Sequence, residues 1–88
     1  PGVFALHQNY PNPFSPSTSV EFSLTERSEV SLIVYSVLGR EIANLAHGPH
    51  EAGVYRVRFD ATDLPSGIYF YRLTAGNTSL VRKMTLVK

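Results

Sequence analysis

Val20-Glu21-Phe22-Ser23-Leu24-Thr25 sets an apolar side chain at every second position. An extended backbone sends alternate side chains to opposite faces, so this stretch predicts a half-buried strand rather than a helix. The rhythm returns at Val30, Leu32 and Val34, with Ser31, Ile33 and Tyr35 on the other face. It returns again at Tyr55, Val57 and Phe59, at Tyr69, Tyr71 and Leu73, and at Leu80, Arg82, Met84 and Leu86. Ile42 and Leu45 are three apart, which predicts a short or bulged strand there. An edge strand around Phe4 to Gln8 brings the expectation to about seven.

Turn chemistry separates these runs. Ser36-Val37-Leu38-Gly39 follows one strand, and Gly39 suits a backbone with positive φ. His47-Gly48-Pro49-His50 reads as a loop, because proline cannot donate to a ladder and glycine weakens one. Leu64-Pro65-Ser66-Gly67 and Ala75-Gly76-Asn77 are further turns. Turns recur about every 10 to 15 residues with no helical stretch between them, the spacing of an all-β antiparallel sandwich. Ile68 to Leu73 is apolar or aromatic on both faces up to Arg72, which places that strand inside a sheet. Three prolines within Tyr10-Pro11-Asn12-Pro13-Phe14-Ser15-Pro16 predict a stiff, polyproline-like lead-in, pinned to the sandwich by Tyr10 and Phe14.

Bulk composition narrows the function. The 88 residues are one domain's worth of core, and 43% hydrophobic content is enough to build it. A net charge of +1 gives no long-range pull on nucleic acid or anionic lipid. The absence of cysteine removes disulfides, thiolate metal sites and cysteine nucleophiles together. No apolar run approaches the roughly 20 residues of a membrane helix. The chain opens at Pro1-Gly2-Val3 without Met or leader, as expected for a piece of a longer exported protein.

Candidate chemistry is sparse. His47, His50 and Glu51 supply two imidazoles and a carboxylate, the donor types of a zinc site. A Gly-Pro loop does not by itself fix ligand geometry, and a solvated loop is the preferred reading. Asp60 and Asp63 fall well short of the six or more oxygens calcium takes. Asp63 is expected to bond turn amides, and Asp60 to end its strand. No serine lies in a Gly-x-Ser-x-Gly elbow, and no nucleophile, base and orienter stand out as a set. The expectation is no enzyme, no catalytic residue, no metal and no cofactor. Arg56 and Arg58 share a strand face, and Arg72, Arg82 and Lys83 lie on later strands. Their stems cover sheet surface while their heads stay in water, with Glu21, Glu29 and Glu41 as cross-strand partners. Nucleic acid is not expected as a partner. Most aromatics fall on the faces assigned to the core. Asn77-Thr78-Ser79 matches an N-glycosylation pattern, relevant only to a eukaryotic secretory route.

Four segments, taken in order, resemble a family. Asn9-Tyr10-Pro11-Asn12-Pro13-Phe14 is similar to the opening of the type A C-terminal sorting domains of the bacterial type IX secretion system. Val30 to Tyr35 followed by Gly39-Arg40-Glu41-Ile42 resembles that family's strand-turn-strand centre. Phe59-Asp60-Ala61 with Leu64-Pro65-Ser66-Gly67-Ile68-Tyr69-Phe70-Tyr71-Arg72-Leu73 resembles its best-marked segment. Lys83-Met84-Thr85-Leu86-Val87-Lys88 resembles its terminal motif. The resemblance covers about Gln8 to Lys88, with Ser15 where many members carry Asn.

The resemblance implies an immunoglobulin-like sandwich serving as an address label, with residues 1–8 as the end of a linker or an edge strand and 9–88 as the sorting domain. Implied partners are the type IX translocon, its C-terminal signal peptidase and an N-terminal cargo domain. Implied destinations are the cell surface or the medium, by way of the periplasm and outer membrane. Motif residues are Tyr10, Pro11, Asn12, Pro13, Phe14, Gly39, Leu64, Gly67 and Tyr69. Two readings of the last strand stand side by side. Lys83, Met84, Leu86 and Lys88 carry recognition through an exposed edge, or they form an ordinary final strand with lysines that discourage aggregation. Two competing functions also remain: a carbohydrate-binding module, favoured by an exposed row of tyrosines, and a structural immunoglobulin-like spacer.

Overall fold

In a computed structural model of the chain, which describes residues 3–88, seven strands form two antiparallel sheets packed face to face. The strands are β1 (Ala5–Leu6), β2 (Ser17–Leu24), β3 (Ser28–Ser36), β4 (Glu41–His50), β5 (Gly53–Asp60), β6 (Gly67–Ala75) and β7 (Thr78–Leu86). One sheet has the order β1-β2-β5 and the other β4-β3-β6-β7. This is an immunoglobulin-like β-sandwich in which β4 pairs with β3. No helix occurs among the described residues.

The period-two reading places the core correctly. Val20, Phe22 and Leu24 of β2 face Val30, Leu32 and Val34 of β3 together with Tyr69, Tyr71 and Leu73 of β6, all buried. Met84 and Leu86 complete that layer from β7. Each such side chain removed from water contributes about 1.5–3 kcal/mol. The doubly apolar Ile68–Leu73 run lies in β6, hydrogen-bonded on both sides by β3 and β7. Gly76 takes φ 61 at the first position of a two-residue hairpin loop between Ala75 and Thr78, where a residue with a Cβ would be strained. Gly39 takes φ 84, and its amide closes the β3–β4 turn on the Ser36 carbonyl at 2.9 Å.

Two expectations need correction. His47-Gly48-Pro49-His50, expected as a loop, is strand: the strand expected to be short or bulged near Ile42 runs the full Glu41–His50. It is bulged as expected, with register shifts between Leu32/Ile33 and Val34/Tyr35. The physical reason is position: β4 is an edge, and an edge strand tolerates a proline that needs no partner on its open side. The proline-rich lead-in is not polyproline-like. Its backbone bends repeatedly between residues 11 and 16, and single bridges tie Tyr10 to Ser19 and Phe14 to Leu86. Arg56 and Arg58 lie in the three-stranded sheet and Arg72, Arg82 and Lys83 in the other, all of them exposed.

Candidate functional site

β7 ends the four-stranded sheet, so one side of its backbone has no neighbouring strand. Strand backbones alternate, and every second residue directs its N–H and C=O to that open side. Over the last part of β7 the chain itself occupies those groups. Gln8 Nε2 donates to the Lys83 carbonyl at 2.6 Å. The Thr85 amide donates to Asn12 Oδ1 at 3.0 Å, and the Thr85 carbonyl accepts from the Phe14 amide at 3.0 Å. The Val87 amide donates to the Phe14 carbonyl at 3.0 Å. Residues 8–14 thus form a strap along the end of β7. From the Lys83 carbonyl onward, the edge expected to be open is closed by the motif at the other end of the chain.

A polar hub anchors the strap. Asn9 is only 2% exposed and spans the two sheets. Its amide donates to Tyr71 Oη at 2.8 Å, and its Nδ2 donates to Thr18 Oγ1 and the Pro11 carbonyl at 3.1 Å each. Tyr71 Oη donates in turn to the His7 carbonyl at 2.7 Å. No buried side-chain nitrogen or oxygen among the described residues lacks a partner, which is how a polar cluster survives inside an apolar sandwich. Burial pushes the Tyr71 phenol above its ordinary value of 10.0, while the Asn9 hydrogen bond and the nearby Arg82 charge act against that rise.

The motif residues divide by role. Phe14 is buried against Phe59, ring centroids 6.1 Å apart, and pins the strap as expected. Tyr10 does not, because its side chain is 82% exposed and only its backbone pairs, with Ser19. Pro11, Asn12 and Pro13 are exposed, and Asn12 acts through its side-chain oxygen on Thr85. Leu64 is half-buried, its amide closing a turn on the Ala61 carbonyl at 3.0 Å. Tyr69 is buried and its hydroxyl donates to the Pro65 carbonyl at 2.7 Å. Gly67 opens β6 at φ 150. Of the four terminal residues, Lys83 and Lys88 are exposed, whereas Met84 and Leu86 are fully within the core. Lys88 is tied back, its amide donating to Ser66 Oγ at 3.0 Å and its ammonium to the Thr62 carbonyl.

The remaining candidates resolve into structural contacts. His50 packs edge-on to Tyr55, with centroids 4.9 Å apart, and Glu51 pairs with Arg27. No three His, Cys, Asp or Glu side chains gather at metal-binding range among the described residues. The carboxylate that bonds its turn is Asp60 and not Asp63. Asp60 Oδ1 accepts from the Thr62 amide at 2.9 Å and the Thr62 hydroxyl at 2.5 Å. Those two bonds hold its carboxyl below the ordinary 3.8. Of the expected cross-strand acids, Glu21 takes Arg56, at 3.0 Å.

Sequence reasoning missed Asn9, Thr18 and Tyr71 as one cluster. Asn9 stands beside the motif, yet nothing in a strand pattern marks an asparagine as buried. Its partners lie 9 and 62 residues away.

No curated protein and no solved structure matches the chain. The sequence profile described as "Secretion system C-terminal sorting domain" matches residues 8–87, from the first residue of the strap to the last residue but one of the terminal motif. With that match spanning nearly the whole chain, the protein belongs to the family of type IX secretion system C-terminal sorting domains.

Proposed function

We propose that this domain is the export address of a protein attached ahead of it. It folds in the periplasm, is bound there through the surface around its C-terminal strand, and brings its cargo to the outer-membrane translocon. The system's signal peptidase then removes it, leaving the cargo in the medium or on the cell surface. Residues 9–88 form the label, and the stretch ahead of them contributes the edge strand Ala5–Leu6 to its sandwich. The domain performs no catalysis in this scheme: its family is one of sorting signals.

The observation that carries this reading is the profile match over residues 8–87, whose two ends are the segments the structure joins as strap and strand. A label must hold its shape among proteases, and a sandwich with the end of its last strand strapped down does so. Lys83 and Lys88 are the terminal residues available to a receptor, while Met84 and Leu86 act by holding β7 in the core. Among the five tyrosines only Tyr10 is largely exposed, so the row of rings a polysaccharide platform calls for is not there.

The test fuses residues 1–88 behind a signal peptide and a fluorescent reporter. Expression in a host with the secretion system should bring the reporter to the surface or medium, and a translocon mutant should retain it in the periplasm. Equal export in both strains overturns the reading. Replacing both Lys83 and Lys88 by Glu separates receptor contact from folding, which deleting Lys83–Lys88 does not, since that deletion also empties the core of Met84 and Leu86.

A further inference from the structure

The strap closes only part of the β7 edge. Thr85 sends both backbone groups outward, to Asn12 and Phe14. By alternation Val81 and Ser79 do the same, as does the Lys83 amide. No hydrogen bond within the described residues reaches the backbone of Ser79 or Val81 on that side, or the Lys83 amide. The other edges of the sandwich are blunted or polar. β1 is two residues long, and β4 carries bulges and Pro49. β5 lies beside an outer face built mainly from Ser19, Glu21, Arg56 and Arg58, with the exposed Val54 at its start and, among the described residues, no apolar trough beside it.

Beside the open part of β7 the outer face changes character. Val81 is 52% exposed and sits opposite Arg72. With Tyr35, Val37, Gly39 and Phe70 these residues line a trough of about 300 Å³. The Arg72 guanidinium lies 5.4 Å over the Tyr35 ring, which keeps a cation on the trough wall. On this outer face β6 and β7 carry Arg72 and Lys83 and no carboxylate, whereas Arg82 lies on the opposite face and donates to the Leu6 carbonyl at 2.8 Å. The two ion pairs of the described residues lie elsewhere, at Arg27–Glu51 and Arg56–Glu21.

We propose that Ser79–Lys83 is a docking edge for an extended, acidic segment of the secretion machinery, which pairs with the free backbone of β7 and places an apolar side chain in the trough beside Val81. Three features select this occupant. The unpaired backbone groups call for a strand, the trough for an apolar residue on one face of it, and the two cations Arg72 and Lys83 on that face for carboxylates flanking that residue. The proposal rests on the sorting reading and adds the site and the chemistry of the partner to it.

The test uses the reporter fusion with Val81→Pro, Val81→Thr and Val81→Asp. Proline at position 81 removes an outward N–H that has no partner among the described residues and leaves the β6–β7 ladder intact. V81P should keep the parent's unfolding midpoint and lower the exported fraction about tenfold, the worth of one strand hydrogen bond and its neighbours. V81T, which keeps the N–H, should stay within about twofold of the parent. V81D sets a carboxylate against an acidic partner and should also fall about tenfold. Parent-level export by a folded V81P overturns the docking edge, and if V81P does not fold, parent-level export by V81D does so. A dimer of residues 1–88 that V81P abolishes assigns the edge to a second copy, which also overturns the proposal. Translocon-independent export of the parent fusion would instead sink the sorting reading, so the two failures are distinct.

Discussion

Replacing Phe14 by Ala tests whether the strap is part of the fold or a loose lead-in. Phe14 is 2% exposed, its ring packs on Phe59 at 6.1 Å between centroids, and its backbone bridges Leu86. Truncating a buried Phe to Ala costs about 3–5 kcal/mol, with the spread set by how well the site collapses. Phe14 sits on a segment that can settle inward, so the lower end, about 3 kcal/mol, is expected. A chain of this size has roughly 4–13 kcal/mol in total, so the substitution consumes a large share. At about 4–8 °C per kcal/mol for a domain of this length, the midpoint should fall by about 12–24 °C. Urea titration followed by circular dichroism, with a thermal scan beside it, reads both quantities. Phe14→Leu should cost less than about 1.5 kcal/mol, since the volume is largely kept. Tyr10→Ala, at an 82% exposed side chain four residues earlier, should stay within about 0.5 kcal/mol. A loss below about 1 kcal/mol for Phe14→Ala, or equal losses for Phe14 and Tyr10, refutes the strap as a structural element.

Other expectations concern the hub and the turns. Asn9→Ala removes the side-chain bonds to Thr18 and Pro11 and should cost about 1–3 kcal/mol in the same urea titration, because it leaves buried polar groups unmatched. Tyr71→Phe should cost about 1–3 kcal/mol near neutrality by orphaning the Asn9 amide and the His7 carbonyl. Since burial raises the folded pKa of Tyr71, wild-type stability should hold below pH 10.0 and decline above it, where the unfolded chain gives up that proton first, and alkaline unfolding curves of the two proteins should converge. Asp60 titrates below 3.8, so its contribution is present above that pH and lost as acid protonates the folded carboxylate. Thr62→Ala should bring its NMR titration part of the way back, leaving the effect of the Thr62 amide bond.

How much was legible in the chain follows from how local each signal is. The period-two stretches of β2, β3, β5, β6 and β7 were readable because alternation is a property of neighbours in sequence. The turns at Gly39 and Gly76 were readable because a positive φ selects glycine wherever the residue sits. His47–His50 was misread because a proline in a strand is penalised only when both sides of that strand need partners. Being an edge is a property of the sheet and not of the segment. Tyr10 and Phe14 look equivalent as aromatics in one motif, yet the bend between them sends one ring into the core and leaves the other in water. Met84 and Leu86 were candidates for recognition because the terminal motif contains them, and only their burial separates them from Lys83 and Lys88.

By itself the sequence determined that the chain is all-β, which residues face the core, where it turns, and, through four motifs in order, which family it belongs to. Those are readings of short-range pattern, and alternation carries them. Tertiary structure alone decided that residues 8–14 lie along β7, that Asn9, Thr18 and Tyr71 meet, and that the open edge runs from Ser79 to Lys83. Hydrogen bonds between segments more than 60 residues apart are set by sheet order and packing, and no local periodicity encodes them.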